Sequence, residues 1–292
     1  MNKLFPLNFS YHTFESADGT DGSLNPVIFL HGFWATKEMW EDIPQIIADK
    51  TKRKTYAYDA RNFGGSDYGN IMNSEINIDD LFYFMDTMNV SKAIIVGHSM
   101  GGITACRAAL KKPERVEMFF SEDMYVKKLT EKFVDLLACA TDMLIRAVKS
   151  IPDSMNEIEA RKFVFTQLFS QAQIKDLSVH FDEKGSNFHT DYVLKRKPDG
   201  SYDVSFNKDV ILKALKNYDT LMPDPSGVFS GPAYFLYGNR SFMNVEADEE
   251  NIKKHFPSAE LIKFEGVSHN IHIEDREKFL SIILDRLTQR KC

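Results

Sequence analysis

Cysteine is scarce in this chain: three residues in 292, Cys106, Cys139 and Cys292, with no CxxC pair and no spacing that would gather metal ligands. A disulfide framework is therefore not what holds the fold together, a zinc site is not expected, and free thiols in a reducing compartment are. Long apolar runs are missing too. The strongest, Val27 to Leu30 and Ala93 to Val96, break off at once, far short of the roughly 18 residues a membrane-spanning helix needs, so no stable membrane insertion is expected. Positive charge is not in excess. The 36 Lys and Arg residues are outnumbered by 42 Asp and Glu, for a formal net charge of −6, which argues against a nucleic-acid partner. Internal repeats and low-complexity tracts are absent. Met1 to Phe5 carries neither the apolar core of a signal peptide nor an Arg-rich amphipathic presequence, and the expected compartment is the cytoplasm.

What is present fits a folded, core-forming chain. Hydrophobic residues make up 43% and charged residues 27%, near globular averages, which excludes a disordered or fibrous protein. The length allows one large or two modest domains. Through residue 123, short apolar runs alternate with longer amphipathic stretches, the pattern of βαβ units and a parallel sheet. Expected strands are Leu7 to Ser16 at an edge, Val27 to Leu30, Lys54 to Asp59, Ala93 to Gly97 and Val116 to Phe120. Expected helices are Lys37 to Lys50, Asn77 to Met88 and Thr104 to Leu110, with Pro113 just past the last. The basic run Lys50, Lys52, Arg53 and Lys54 lies between a helix and a strand and reads as a solvated loop.

The rhythm changes between Asp123 and Gly231. Helical patterns over Lys132 to Val148 and Glu157 to Gln171 are followed by Tyr192 to Phe206, a hairpin around Lys197-Pro198-Asp199-Gly200-Ser201. Strand-helix alternation resumes with Ala233 to Tyr237, Val245 to His255, Glu260 to Phe264 and Arg276 to Arg290. The expected organisation is thus a core of residues 1–123 and 231–292 interrupted by a mainly helical insert, 124–230. A chain that leaves and re-enters the carboxyl edge of a sheet must lie over that edge, so the insert is expected to form a cap.

Chemistry is concentrated at that edge. Gly97-His98-Ser99-Met100-Gly101 follows a buried strand and opens a helix, the context of a strained turn that presents Ser99 as a nucleophile. The helix N-terminus adds free N–H groups that favour developing negative charge. His31-Gly32-Phe33-Trp34 ends another strand at the same edge. The backbone N–H groups of Phe33 and Met100 are the expected oxyanion donors. Among eight histidines, His269 in Val267-Ser268-His269-Asn270 follows the last strand, as the order serine, acid, histidine requires, with His272 as its rival. His31 and His98 sit inside motifs and read as structural. His12, His180, His189 and His255 lie on an edge strand, in the insert or on a helix.

The acid is the least conventional element. After the penultimate strand, Tyr237 to Phe242 offers no carboxylate, and Ser241 occupies the slot. Asp123 ends the strand beside the nucleophile strand and can orient an imidazole from there. Glu122 should point to the opposite face; Glu246 and Asp248 are the other candidates. Asp59 and Arg61, in Tyr58 to Asp67, read as ties between loops.

On these residues the chain resembles the α/β-hydrolase superfamily, and within it the small esterases of the YbfF type and the eukaryotic abhydrolase-domain protein eleven branch. The resemblance rests on His31-Gly32-Phe33, Asp59-Ala60-Arg61-Asn62 with Gly64 and Ser66, Gly97 to Gly102, Pro113 to Val116, Asp123, and Gly266 with His269. It departs from the pattern at Phe63, Gly65 and Met124-Tyr125, where the family has His, Asp, and small residues with Pro. The resemblance implies a mostly parallel twisted sheet flanked by helices, and hydrolysis of carboxylic esters, including acylglycerols. It assigns nucleophile, oxyanion donor and base to Ser99, Phe33 and His269, its bacterial members resemble this chain in an acid after the strand that Asp123 ends, and it makes a mitochondrial location an alternative to the cytoplasm. No metal or organic cofactor is implied, since serine, imidazole and oxyanion donors suffice for acyl transfer. The expected partner is a small ester with an apolar acyl group. The competing readings are a carbon-carbon bond hydrolase, which also uses serine, and a non-catalytic ligand-binding protein on the same scaffold.

Overall fold

The computed structural model of the protein describes residues 6–170 and 193–288. The strands Tyr11–Phe14 (β1), Val27–Leu30 (β2), Thr55–Tyr58 (β3), Ala93–His98 (β4) and Val116–Glu122 (β5) precede a two-stranded hairpin, Leu194–Arg196 (β6) and Tyr202–Val204 (β7). Ala233–Gly238 (β8) and Ala259–Phe264 (β9) complete the set. Seven of these form one sheet in the order β1-β3-β2-β4-β5-β8-β9, with only β1 antiparallel to its neighbour. The apolar runs seen in the sequence are the central strands. Both faces of a parallel sheet are covered by helices, so every position must be apolar.

Alternation along each strand divides the core into two layers. Val27, Phe29, Ile94, Val96 and Phe120 meet Trp40, Ile43, Phe279 and Ile283, the last two from the helix Arg276–Thr288. Ile28, Ile95, Phe119 and Phe235 meet Leu81, Phe84, Ala105 and Ile252 on the opposite face. Leu81 and Phe84 belong to the helix Ser74–Thr87, and Ala105 to Met100–Lys111.

Several boundaries differ from the sequence reading, each for a local reason. The helix expected over Lys37 to Lys50 is split into a 3-10 turn, Lys37–Trp40, and a helix, Ile43–Thr51, with Glu41 at φ 48° between them. Pro44 sits in the first turn of the second piece, where its missing N–H costs nothing; a continuous helix would need that N–H and would clash with its ring. The helix Glu249–His255 likewise opens with a 3-10 turn, Val245–Asp248. The edge strand is only four residues, because Asn8 and Ser10 turn their backbone N–H groups to the side chains of Asp67 and Ser66 instead. The terminal helix is described to Thr288; Gln289 and Arg290 lie outside the described residues, as does Cys292.

Between β5 and β8 the regular elements of the described chain are helices, apart from the hairpin. Glu131–Lys149 (19 residues) is capped by the Thr130 hydroxyl, which accepts from the Phe133 N–H at 3.2 Å. Glu157–Ser170, Lys208–Leu215 and Tyr218–Leu221 follow. The hairpin turns at Gly200, φ 88°, and its far end is bonded to the core, with Gly64 N–H donating to Ser205 O at 2.6 Å and Asn207 N–H to Asn62 O at 2.8 Å. Gln171, His180, His189 and Tyr192 lie outside the described residues, as does the Phe169 side chain. No described helix is long and apolar enough to cross a membrane.

Candidate active site

Ser99 stands between β4 and the helix Met100–Lys111 with φ 51° and ψ −111°, a conformation rarely adopted by a residue bearing a Cβ. Two glycines allow the turn. A Cβ on Gly97 would fall 2.2 Å from the Gly101 carbonyl oxygen, and one on Gly101 would fall 2.2 Å from that of Leu30. The Ser99 N–H donates to Glu122 O at 3.0 Å, which fixes the turn to the neighbouring strand.

His269 follows β9, and its Nδ1–H donates to Asp123 Oδ2 at 2.6 Å. Asp123 is fully buried directly after β5, at φ 49°. Its Oδ1 accepts the Gly238 N–H at 3.1 Å, and its Oδ2 also accepts the Ser241 hydroxyl. Burial raises the pKa of the Asp123 carboxyl above its ordinary value, while the donors His269, Ser241 and Gly238 act in the opposite direction. Ser241, which stands where a carboxylate was missing after the penultimate strand, thus serves the Asp123 carboxylate as a donor. Sequence reasoning did not see this role, because it exists only once the ends of β5 and β8 are side by side.

The turn holding Phe33 is fixed from behind. Ala60 N–H donates to His31 Nε2 at 2.9 Å, and His31 Nδ1–H donates to Gly32 O at 2.8 Å. Burial holds the His31 imidazole below its ordinary pKa, consistent with a neutral ring that donates through one nitrogen and accepts through the other. The Gly32 carbonyl and the Phe33 N–H belong to one trans peptide, so anchoring the first aims the second the opposite way. Trp34 follows at φ 63°, and its indole N–H reaches Thr141 Oγ1 at 3.1 Å. The Met100 N–H lies in the first turn of its helix, where it has no acceptor within the helix.

Ser99, His269, Phe33 and Met100 line one cavity of about 180 Å³, with Asp123 behind His269. The segment between β5 and β8 supplies much of the remaining wall, including Phe133, Leu137, Leu215 and Met222. Of the apolar residues on the insert helices, Phe133 and Leu137 face the cavity, whereas Met143, Leu144 and Leu168 are buried in the core. Met124 lines the cavity, and Phe63 packs 5.9 Å from Phe33, ring to ring, so two of the departures from the family pattern shape its surroundings. Asn73, Ser74 and Asn77, from the start of the helix Ser74–Thr87, add polar wall that sequence reasoning had not placed there.

The rival residues are engaged elsewhere. His272 is buried and bonded to Glu122 at 2.7 Å. Glu246 faces Lys263 at 3.7 Å, and Asp248 accepts the Val126 N–H at 3.2 Å. Asp59 binds Lys37, in the 3-10 turn Lys37–Trp40, at 3.0 Å, and Arg61 donates to Asp80 of the helix Ser74–Thr87 at 2.8 Å, so each fastens the loop after β3 to a helical segment and not to another loop.

A strand-turn-helix serine at the carboxyl edge of a mostly parallel, helix-covered sheet defines the class, and residues 25–276 match the family model of the alpha/beta hydrolase fold. The chain belongs to that family. It is 28% identical over 289 residues to the sn-1-specific diacylglycerol lipase ABHD11 of Danio rerio, covering 97% of this chain and 84% of that protein. It is 22% identical over 276 residues to ethanol acetyltransferase 1 of Cyberlindnera fabianii, covering 89% of this chain and 78% of that one. Among solved structures, a marine microorganism esterase superposes with a TM-score of 0.76 at 27% identity, over 96% of this chain and 99% of the other.

Proposed function

We propose that the protein hydrolyses carboxylic esters through an acyl-enzyme on Ser99, with His269 as general base and acid and Asp123 as the carboxylate that orients it. The observation that carries this reading is the 2.6 Å bond between His269 Nδ1 and Asp123 Oδ2, in a ring that lines the same cavity as Ser99. With Nδ1 donating to the carboxylate, Nε2 is free of its proton and can take the one on Ser99 Oγ as that oxygen attacks the ester carbonyl. Negative charge then develops on the carbonyl oxygen, where the Phe33 and Met100 N–H groups would receive it; losing one such donor typically costs roughly 2.7 to 4 kcal/mol. His269 returns the proton to the departing alcohol, and water cleaves the acyl-enzyme by the same path.

The substrate we propose is a small ester with an apolar acyl group, an acylglycerol included, bound beneath a cap to which the described residues 124–170 and 193–230 contribute. The apolar cavity wall contributed by Phe133, Leu137, Leu215 and Met222 supports this, as does the similarity to the diacylglycerol lipase. The test is a fluorophosphonate label followed by a panel of esters of graded acyl length. Ser99→Ala should abolish labelling while leaving Tm nearly unchanged, and the wild type should release free acid from apolar esters. Undiminished labelling of the variant would remove Ser99 from its role. Release of an alkyl ester in place of the acid when an alcohol is added would make the alcohol the acyl acceptor, as the name of the acetyltransferase relative describes.

A further inference from the structure

Behind the His269–Asp123 pair lies a second imidazole–carboxylate couple. Glu122 and Asp123 are consecutive at the end of β5, and each takes a histidine from one turn, His272 and His269. Glu122 is fully buried, and its Oε1 accepts both the His272 backbone N–H at 2.8 Å and the His272 Nδ1–H at 2.7 Å. Alternation along the strand sends Glu122 to the face opposite Asp123. There the His272 ring packs 4.9 Å from Trp40 and 6.1 Å from Phe279. A third attachment comes from the neighbouring strand: His98, the last residue of β4, lies with Nε2 3.1 Å from the His269 carbonyl oxygen. Burial pushes the His98 imidazole well below its ordinary pKa, so the ring is neutral and Nε2 carries the proton it donates.

Stability alone is a poor account of this couple. Glu122 Oε2, His272 Nε2 and His98 Nδ1 are buried without a hydrogen-bond partner among the described residues, and each such group weakens the folded state. A well-packed apolar pair often serves stability as well as, or better than, a buried ionisable pair. What the couple does supply is direction. Two bonds to one oxygen fix residue 272, and only Asn270 and Ile271 separate it from His269.

We infer that Glu122 and His272 are positioning residues for His269, holding the far end of its turn so that the imidazole stays in register with both Asp123 and Ser99. This rests on the reading of His269 as the general base. Glu122 and His272 touch no substrate.

The test compares Glu122→Leu, Glu122→Gln and His269→Gln with the wild type, with folded active sites counted by the end point of fluorophosphonate labelling in the Glu122 variants and folded protein by circular dichroism in His269→Gln, which lacks the proposed base that activates Ser99. In Glu122→Leu, kcat per labelled site falls by roughly ten- to a hundredfold, the range a small misplacement of a reacting group produces, while KM stays within about twofold. The low-field proton resonance of the His269–Asp123 bond shifts or broadens. Glu122→Gln, whose amide oxygen can still accept both N–H groups, recovers most of the rate. If the leucine variant does not fold, Glu122→Asp withdraws the acceptor by one methylene and carries the same expectation. An unchanged kcat per labelled site in the leucine or aspartate variant, a loss confined to KM, or a glutamine variant as impaired as leucine overturns the inference. Activity lost in His269→Gln but kept in Glu122→Leu overturns the positioning role alone. Activity kept in His269→Gln overturns the reading of His269 beneath it.

Discussion

Trp34 and Thr141 join the turn of the proposed oxyanion donor to Glu131–Lys149, the longest described helix of the insert, through an indole N–H donated to Oγ1 at 3.1 Å. Trp34 is the residue after Phe33 and holds a positive φ of 63°, which a bulky side chain adopts only when its surroundings enforce it. Thr141 is fully buried and passes its own proton to Leu137 O at 2.7 Å, so its oxygen is oriented to accept. The helix that carries the cavity residues Phe133 and Leu137 therefore also restrains the turn on which Phe33 sits. Thr141→Val keeps the shape and removes the acceptor. It should lower kcat by about tenfold, the equivalent of one hydrogen bond of about 1 kcal/mol or slightly more, with little change in KM. Steady-state kinetics on a short-chain ester checks this; an unchanged kcat would show that the turn holds itself.

Asp123→Asn should reduce kcat by about four orders of magnitude, since an amide cannot both hold the Nδ1–H tautomer and stabilise the imidazolium. Asp248→Asn should behave differently. Asp248 accepts the N–H groups of Val126 and Lys127 and faces the Lys127 ammonium at 3.5 Å, so it ties down the chain just beyond Asp123. Its substitution should lower Tm and leave the rate per folded site almost intact. Glu246→Gln, at an exposed position, should alter neither. If a rate comparable to wild type survives in Asp123→Asn while either of the others is crippled, the acid lies after the penultimate strand.

The same carboxylate has a stability signature whose sign is fixed by its burial. The folded-state pKa of Asp123 is raised above 3.8, so the folded protein binds the proton more tightly than the unfolded chain does. Stability from this group is greatest below the unfolded value and is lost as pH rises through the raised folded value. Melting wild type and Asp123→Asn in parallel from pH 3 to pH 7, with ~1-unit steps, should show the wild type losing ground to the variant as pH rises through that window. The reverse slope would mean that the His269, Ser241 and Gly238 donors outweigh burial.

The parts of this site that could be read from the sequence are those whose signal is local. Ser99 announces itself because the close approach of the Gly97 and Gly101 backbones and the strand-helix flanks all lie within a few residues of it. His269 and Asp123 could be proposed for one site because each follows a strand, and parallel strands deliver their ends to one edge; the structure brings the two side chains together at 2.6 Å. The interruption at Glu41 was legible in principle from Pro44, which can open a helix but not continue one. The donor role of Ser241, the positioning role proposed for Glu122 with His272, and the wall from Leu215 and Met222 were not legible. Their partners lie far off in sequence, 118 positions for Ser241 and 150 for His272, and their roles come from packing alone. Pairing the residues of the insert helices with the cavity or with the core has the same difficulty, because the apolar side chains of Glu131–Lys149 form one broad stripe that serves both, with Phe133 and Leu137 at the cavity and Leu144 in the core.

That ambiguity gives the sharpest test of the proposed cap. Phe133 and Leu137 are four apart on one face of Glu131–Lys149 and line the cavity; Leu144 on the same helix is fully buried in the core. Phe133→Ala and Leu137→Ala enlarge the space around a bound acyl chain, so the preferred chain length should move to longer esters while the best kcat/KM stays close to the wild-type value. Leu144→Ala instead leaves a hole where no substrate reaches. It should cost about 2 to 5 kcal/mol of stability and leave the order of preference unchanged. Because the three substitutions remove similar apolar bulk from one helix, a general loosening of that helix would affect the ester panel alike in all of them. A shift in chain-length preference confined to Phe133→Ala and Leu137→Ala is what a substrate-selecting cap requires. Indifference to acyl length across the panel, with every substitution lowering Tm alone, would make the insert a packing element over an open cleft.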